Sequence, residues 1–200
     1  MIFTCLEGID ASGKLTQAKL LAERMKAKLF SFPDYTTPMG KILKQHLLNK
    51  WSAVSVGEDI ELLDPMVFQA VQLANRMEHA QEIAEHLANG IPVVADRYTP
   101  SGMVYGGSDG LDADYLERIH RWLPIPNVHI LVDIDPEQSA QRRPERRDRY
   151  EEQEGLMEDV TERYRNLWQE MSSRGYRWVV VDGRGSVGDV HKAILEVVEA

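Results

Sequence analysis

Three groups of residues in this chain of 200 have the types and spacing to handle phosphate. The first is Gly8, Ile9, Asp10, Ala11, Ser12, Gly13 and Lys14, a G-x-x-x-x-G-K run, followed by Leu15 and Thr16. Glycines at both ends let the backbone turn tightly and bring N–H groups against an anion. A helix starting at Lys14 would add its partial positive charge, and Lys14 would reach the β- and γ-phosphates of ATP. The pattern asks for a hydroxyl on Mg²⁺ directly after the lysine, and Leu15 cannot supply it. Thr16 lies about 100° further round a helix, which suits an α-phosphate oxygen better than the metal. The second group is Asp96 and Arg97 in "DRYTPSG", closing the apolar run "IPVVAD". A carboxylate with water suits Mg²⁺, which makes Asp96 the expected metal ligand. Arg97 can grip a phosphate in bidentate fashion. The third is "QRRPERRDRY": Arg142, Arg143, Arg146, Arg147 and Arg149 against Glu145 and Asp148, a local excess of three positive charges. The plainer readings are a β–α turn with an exposed lysine, an Asp-Arg loop cap, and a solvated charge run.

Elements that could position these groups alternate along the chain. Five apolar runs read as strands: "IFTCLE" from Ile2, "KLFSF" from Lys28, "IPVVAD" from Ile91, "VHILVDID" from Val128 and "RWVVVD" from Arg177. The last three are rich in β-branched residues without polar alternation, as in parallel strands buried on both faces. Helical patterns cover Lys14 to Lys26, about Asp64 to Asn89, Asp112 to Trp122, Glu154 to Ser173, and a last stretch from about Val187. Gly90 with Pro92 closes the second. Strand–helix alternation predicts one α/β domain over 1–200, with right-handed crossovers and ligands at the carboxyl ends of the strands. Pro144 interrupts any helix through the arginine cluster, so a mobile lid is expected at about 142–154.

Composition narrows the partners. A net charge of −9 disfavours a nucleic-acid polymer, which demands a broad cationic face. Hydrophobic residues at 43% are enough for a core. Cys5 is the single cysteine, expected as a small buried hydrophobe in a reducing, cytoplasmic setting. No signal-peptide pattern and no membrane-length apolar run is found. His79 and His86, seven apart, could share a helix face, but no third ligand stands at metal spacing. "NKWS" at Asn49 lacks the aspartate of a GTPase base-reading element.

"EGIDASGK", "FPDYTTPMGKIL", "NRMEH", "DRYTPSGMVYG" and the arginines before "RYEE" occur together and in this order. The chain thereby resembles the thymidylate kinases, P-loop enzymes that move a phosphoryl group from ATP to dTMP, over nearly its whole length. The resemblance implies a three-layer fold around a five-stranded parallel sheet, Mg²⁺, an arginine-rich lid and a homodimer. It places Asp10 at the deoxyribose 3′-hydroxyl, Arg76 at the base carbonyl edge and Arg97 at the acceptor phosphate. Ser101 and Gly102 would shape a turn beside the substrate, and Phe32 would line its pocket. Tyr105 would pack under the sugar and Tyr150 would sit in the lid near the acceptor. With the small Ala11 inside the loop, the transferring phosphoryl would be met by lid arginines, Arg142 and Arg146 or Arg147.

Three positions depart from that pattern. Leu15 replaces the loop hydroxyl. Tyr35 stands where many members place an arginine on the acceptor phosphate. Gln72 stands where many have a phenylalanine stacked on thymine. Phe68, one turn earlier, could substitute for that ring, or Gln72 could hydrogen-bond a base edge. Altered or broader base selection among deoxynucleoside monophosphates is thus one alternative. A deoxynucleoside kinase is another and would need Glu7 as a carboxylate base. A nucleotide-binding module without catalysis is the third.

Overall fold

The computed structural model describes residues 2–47, 63–142 and 155–199. Strands β1 (Phe3–Glu7), β2 (Lys28–Ser31), β3 (Val93–Asp96), β4 (Val128–Asp133) and β5 (Trp178–Asp182) match the five expected runs. They form one parallel sheet in the order β2-β3-β1-β4-β5. Eight helices are present among the described residues. Five answer the expected patterns: α1 (Lys14–Met25), α3 (Pro65–Ala88), α5 (Ala113–His120), α7 (Leu156–Ser173) and α8 (Val187–Glu199). The other three, α2 (Pro38–Leu47), α4 (Thr99–Ser108) and α6 (Pro136–Arg142), lie in stretches whose sequence had suggested no helix.

The sheet is a sandwich filling. Ala18 and Leu21 of α1 and Ile194 of α8 pack with Leu6, Val94, Ile130 and Val132 on one face. On the other, Phe3, Cys5 and Ala95 meet Ile83 of α3 and Tyr98, while Leu131 meets Val104, Tyr164 and Leu167. Side chains alternate across a strand, so β1 feeds Phe3 and Cys5 to one layer and Leu6 to the other. Strand β5 corrects an expectation. It is an edge strand, and Val180 is 37% exposed, so its β-branched residues serve strand propensity rather than burial on both faces.

Helix α3 starts as its sequence dictates: the Asp64 carboxylate accepts from Met66 N at 2.8 Å, with Pro65 in the first turn. Helix α4 has Pro100 in its first turn but no local side-chain cap. "TPSGMVYGGS" holds three glycines, and the Tyr98 side chain does not cap it. Its cap comes from β1. Glu7 Oε1 accepts from Tyr98 N at 2.7 Å and from Ser101 N at 3.4 Å. Ser101 and Gly102 therefore sit in the first turn of a helix.

Candidate active site

Strands β1 and β3 lie side by side with Leu6 level with Asp96, so their carboxyl ends bring the glycine loop and the Asp96-Arg97 pair to one crevice. The loop turns sharply at Gly8, with φ 144°, where a Cβ would lie 2.5 Å from Val132 O. Only glycine fits there. Ala11 (φ 55°) and Arg97 (φ 61°) also adopt left-handed backbone, a strain that surrounding contacts must hold in place. Ser139 Oγ of α6 donates to Asp10 O at 2.7 Å and helps fix the loop.

Lys14 is buried at the start of α1 and donates to Ile9 O at 3.1 Å, with Asp10 Oδ1 at 3.5 Å. Burial and then the Arg97 charge lower its pKa, against the pull of Asp10, Asp96 and Glu7. Arg97 spreads its guanidinium over several partners. Nη2 donates to Asp10 Oδ1 at 2.6 Å, and Nη1 reaches Ser101 Oγ at 3.2 Å and Tyr164 Oη at 3.3 Å. It also lies 5.4 Å from the centre of the Tyr105 ring, a cation–π distance. Leu15 and Thr16 are exposed, on the solvent side of the loop.

Glu7 is fully buried, and its oxygens are committed to protein donors. Beyond the two α4 N–H groups, Oε2 accepts from Ser101 Oγ at 2.7 Å and Tyr164 Oη at 2.9 Å. Cys5 Sγ adds a weak contact to Oε1 at 3.5 Å, its thiol pushed well up by burial. This overturns Glu7 as a candidate base: it holds α4 and has no side open to a substrate hydroxyl. Cys5 is the buried hydrophobe its surroundings predicted.

Asp96 is different. It is buried, and its Oδ1 has no hydrogen-bond partner among the described residues. Burial raises its pKa, against Lys14 and Arg97, which favour the charged form. An orphaned buried carboxylate oxygen beside the phosphate loop is where a hard cation fits. No group of three or more possible ligands is found among the described residues, so an ion held by Asp96 would take further ligands from water and phosphate. His79 and His86 do share a face of α3, where both lie near Glu82 and pack by Phe30.

One cavity opens beside this crevice. Asp10, Phe32, Tyr35, Phe68, Gln72, Arg76, Arg97, Ser101, Gly102 and Tyr105 line it. The candidate acceptor residues that fall in the described chain are thus brought together. Phe68 is buried and packs on His46 with ring centres 4.5 Å apart, so it forms a wall. Gln72 is half-buried and Tyr35 is 39% exposed at the mouth. Arg76 is buried, and its Nε and Nη1 lack partners among the described residues.

Arg142 ends α6 with its guanidinium on Gly183 O at 2.9 Å and Ala11 O at 3.3 Å, next to the phosphate loop. Arg143, Arg146, Arg147, Arg149 and Tyr150 lie outside the described residues, as does "NKWS". Several contributors escaped the sequence reading. Gln69 lines the cavity and was detectable, since 69, 72 and 76 share a helix face. Tyr164, inside α7, had no local sequence signal that marks it. Asn75 holds the loop after β2, accepting from Asp34 N at 2.9 Å and donating to Thr37 Oγ1 at 2.8 Å, and nothing local marked it.

The model of the family described as thymidylate kinase matches residues 6–194, from the end of β1 through the loop and the cavity into the last helix. The chain belongs to the thymidylate kinase family. It is 34% identical over 198 residues to the thymidylate kinase of Schizosaccharomyces pombe, covering 96% of this chain and 89% of that one. Its fold superposes on a Candida albicans thymidylate kinase structure with a TM-score of 0.79, at 26% identity, covering 99% and 91% of the two chains. That structure is described as revealing the origin of broad substrate specificity and a novel structural element. A thymidylate kinase from Ehrlichia chaffeensis shares the fold, with a TM-score of 0.70 at 20% identity over 98% of each chain.

Proposed function

We infer that this member of the thymidylate kinase family transfers a phosphoryl group from ATP to dTMP. The observation that carries the reading is the single crevice in which the phosphate loop, Asp96 and Arg97 open onto the cavity containing Arg76 and Tyr105. Phosphoryl transfer asks for alignment and charge neutralisation more than covalent chemistry. The loop from Gly8 to Thr16 holds ATP, Lys14 faces its terminal phosphates and Arg97 takes the acceptor phosphate. Arg76 donates to the carbonyl edge of the base. Tyr105 sits under the sugar and Asp10 meets its 3′-hydroxyl. Asp96 would hold Mg²⁺, which screens the charge of the bridging phosphates when bound. Arg142, Arg146, Arg147 and Tyr150 belong to the closing lid, and the enzyme works as a cytoplasmic homodimer. No side-chain base is required, because the acceptor oxygen is already anionic.

Gln72 and Tyr35 keep one second reading in view, a broader choice of base, since both contribute polar atoms to the cavity. The test is ADP release with dTMP, dUMP, dGMP, dCMP and dAMP in turn. The expected result is preference for dTMP. Brisk use of another nucleotide with no dTMP turnover would sink the assignment, and ATP binding with no turnover of any of them would favour a binding module.

A further inference from the structure

Arg76 poses a problem of orientation. It is 2% exposed, and two of its N–H-bearing atoms, Nε and Nη1, are unpartnered among the described residues. A buried guanidinium with open donors reads a base only if something fixes its plane. One unused acceptor that borders Arg76 is on α5. His120 is buried, and its Nδ1 lies 2.8 Å from Leu116 O. A carbonyl only accepts, so Nδ1 carries the proton and Nε2 presents a lone pair. Burial, aided by the Arg76 charge, lowers the His120 pKa to about 3, so the ring is neutral at physiological pH. That Nε2 is also unpartnered among the described residues.

The two orphans border the same gap. A Cβ on Gly102 would sit 2.6 Å from Nε2 of His120 and 3.4 Å from Nη1 of Arg76. The space that Gly102 leaves open is therefore where a lone donor and a lone acceptor meet. We propose that His120 is a positioning residue for base recognition: its Nε2 holds Nη1 of Arg76 through one water, and so aims the remaining N–H groups at the base carbonyl. His120 touches no substrate and acts only through Arg76. The proposal rests on the reading of Arg76 as the contact to the base carbonyl.

The test is steady-state kinetics with dTMP and dCMP on His120→Leu, His120→Gln, His120→Asn, Arg76→Leu and the double variant Arg76→Leu/His120→Leu. His120→Leu should raise KM for dTMP about tenfold, leave kcat within about threefold, and cut the preference for dTMP over dCMP about tenfold. KM for ATP should stay put, which a general packing defect would not allow. A glutamine amide oxygen reaches the place of Nε2, whereas that of asparagine reaches only the place of Nδ1. His120→Gln should therefore restore most of the loss and His120→Asn should not. That contrast decides the matter even if the leucine variant fails to fold. The double variant should be no worse than Arg76→Leu alone. The proposal is overturned if His120→Gln is as impaired as His120→Asn, if dTMP and dCMP suffer equally, or if the two losses multiply. If Arg76→Leu leaves KM and base preference unchanged, the base-contact reading itself falls, an outcome separate from the others.

Discussion

Glu7→Gln is a demanding test of how this site is built. The substitution keeps the shape of the side chain and removes one acceptor. Oε1 must remain oxygen, because Tyr98 N at 2.7 Å can only donate. The new amide nitrogen then faces Ser101 Oγ and Tyr164 Oη, at 2.7 and 2.9 Å from the present Oε2. Both hydroxyls now donate to Glu7, and both would have to turn. They lie 2.9 Å apart, so one can donate to the other, and the second is left with an unmatched proton. One buried orphan costs about 1–3 kcal/mol, and loss of charge assistance at the α4 cap adds about 1 kcal/mol. The expected loss is thus about 2–4 kcal/mol in urea unfolding, with an unchanged m-value. Because α4 carries Ser101 and Gly102 into the cavity, KM for the acceptor should rise severalfold, while kcat stays within about tenfold. A stability change below about 0.5 kcal/mol together with a kcat collapse beyond a hundredfold would show that Glu7 works in the chemistry, and this account of it would be wrong.

Asp96→Asn should nearly abolish turnover while the fold persists, and Leu15→Ser should shift the apparent Mg²⁺ requirement only modestly; turnover and Mg²⁺ titrations with both variants check this, and near-normal turnover of Asp96→Asn would refute it. His129 is buried and stacked on Trp178 with ring centres 4.6 Å apart, and burial lowers its pKa to about 4. The unfolded chain binds this proton near pH 6.5, so the stability it protects is complete above that pH and is lost as pH falls toward 4. At pH 4.5 the loss from this one group is about 2–3 kcal/mol, and His129→Gln should lose that much less than the parent between pH 7 and pH 4.5 in urea unfolding.

Legibility in the sequence followed the range of the interactions. The five strands and the phosphate loop are local patterns, and apolar runs ending in Gly8 or Asp96 announced them. Helix α3 was legible down to its ends because its cap and its stop, Asp64 and Gly90, are written beside it. Helix α4 was not, because its cap is a glutamate ninety-odd residues upstream, and its glycines exist to let Gly102 and Gly106 approach His120 and Leu116 closely. The same glutamate explains an ambiguity: a carboxylate at a strand end looks like a base until its four hydrogen-bonding neighbours are seen. β5 misled because β-branched residues mark strand geometry and not depth. The cavity was legible only through resemblance, since no periodicity links Phe32, Arg76 and Tyr105. Gln69 could have been found from its spacing to Gln72 and Arg76, whereas the joint gap of His120 and Arg76 exists only in three dimensions.

The distribution of charge explains why the loop can dispense with its hydroxyl. Three buried or nearly buried carboxylates stand near the crevice, with the buried cations Lys14 and Arg76 and the nearly buried Arg97. Glu7 is spent on α4 and on Tyr164. Asp10 is engaged by Arg97 and Lys14. That leaves Asp96, whose Oδ1 is buried without a partner among the described residues and whose pKa burial has raised. Leaving such an oxygen unmatched costs more than a surface carboxylate would, so the site is arranged for a cation at that point. A single carboxylate is too little to hold Mg²⁺ alone, so the ion would be held by Asp96 together with water and the phosphates of the nucleotide. It would therefore enter with the nucleotide, and a hydroxyl at position 15 would add one ligand to a shell already nearly complete. On the proposed reading a hydroxyl at position 15 would not be needed for the metal, whereas Asp96 would be.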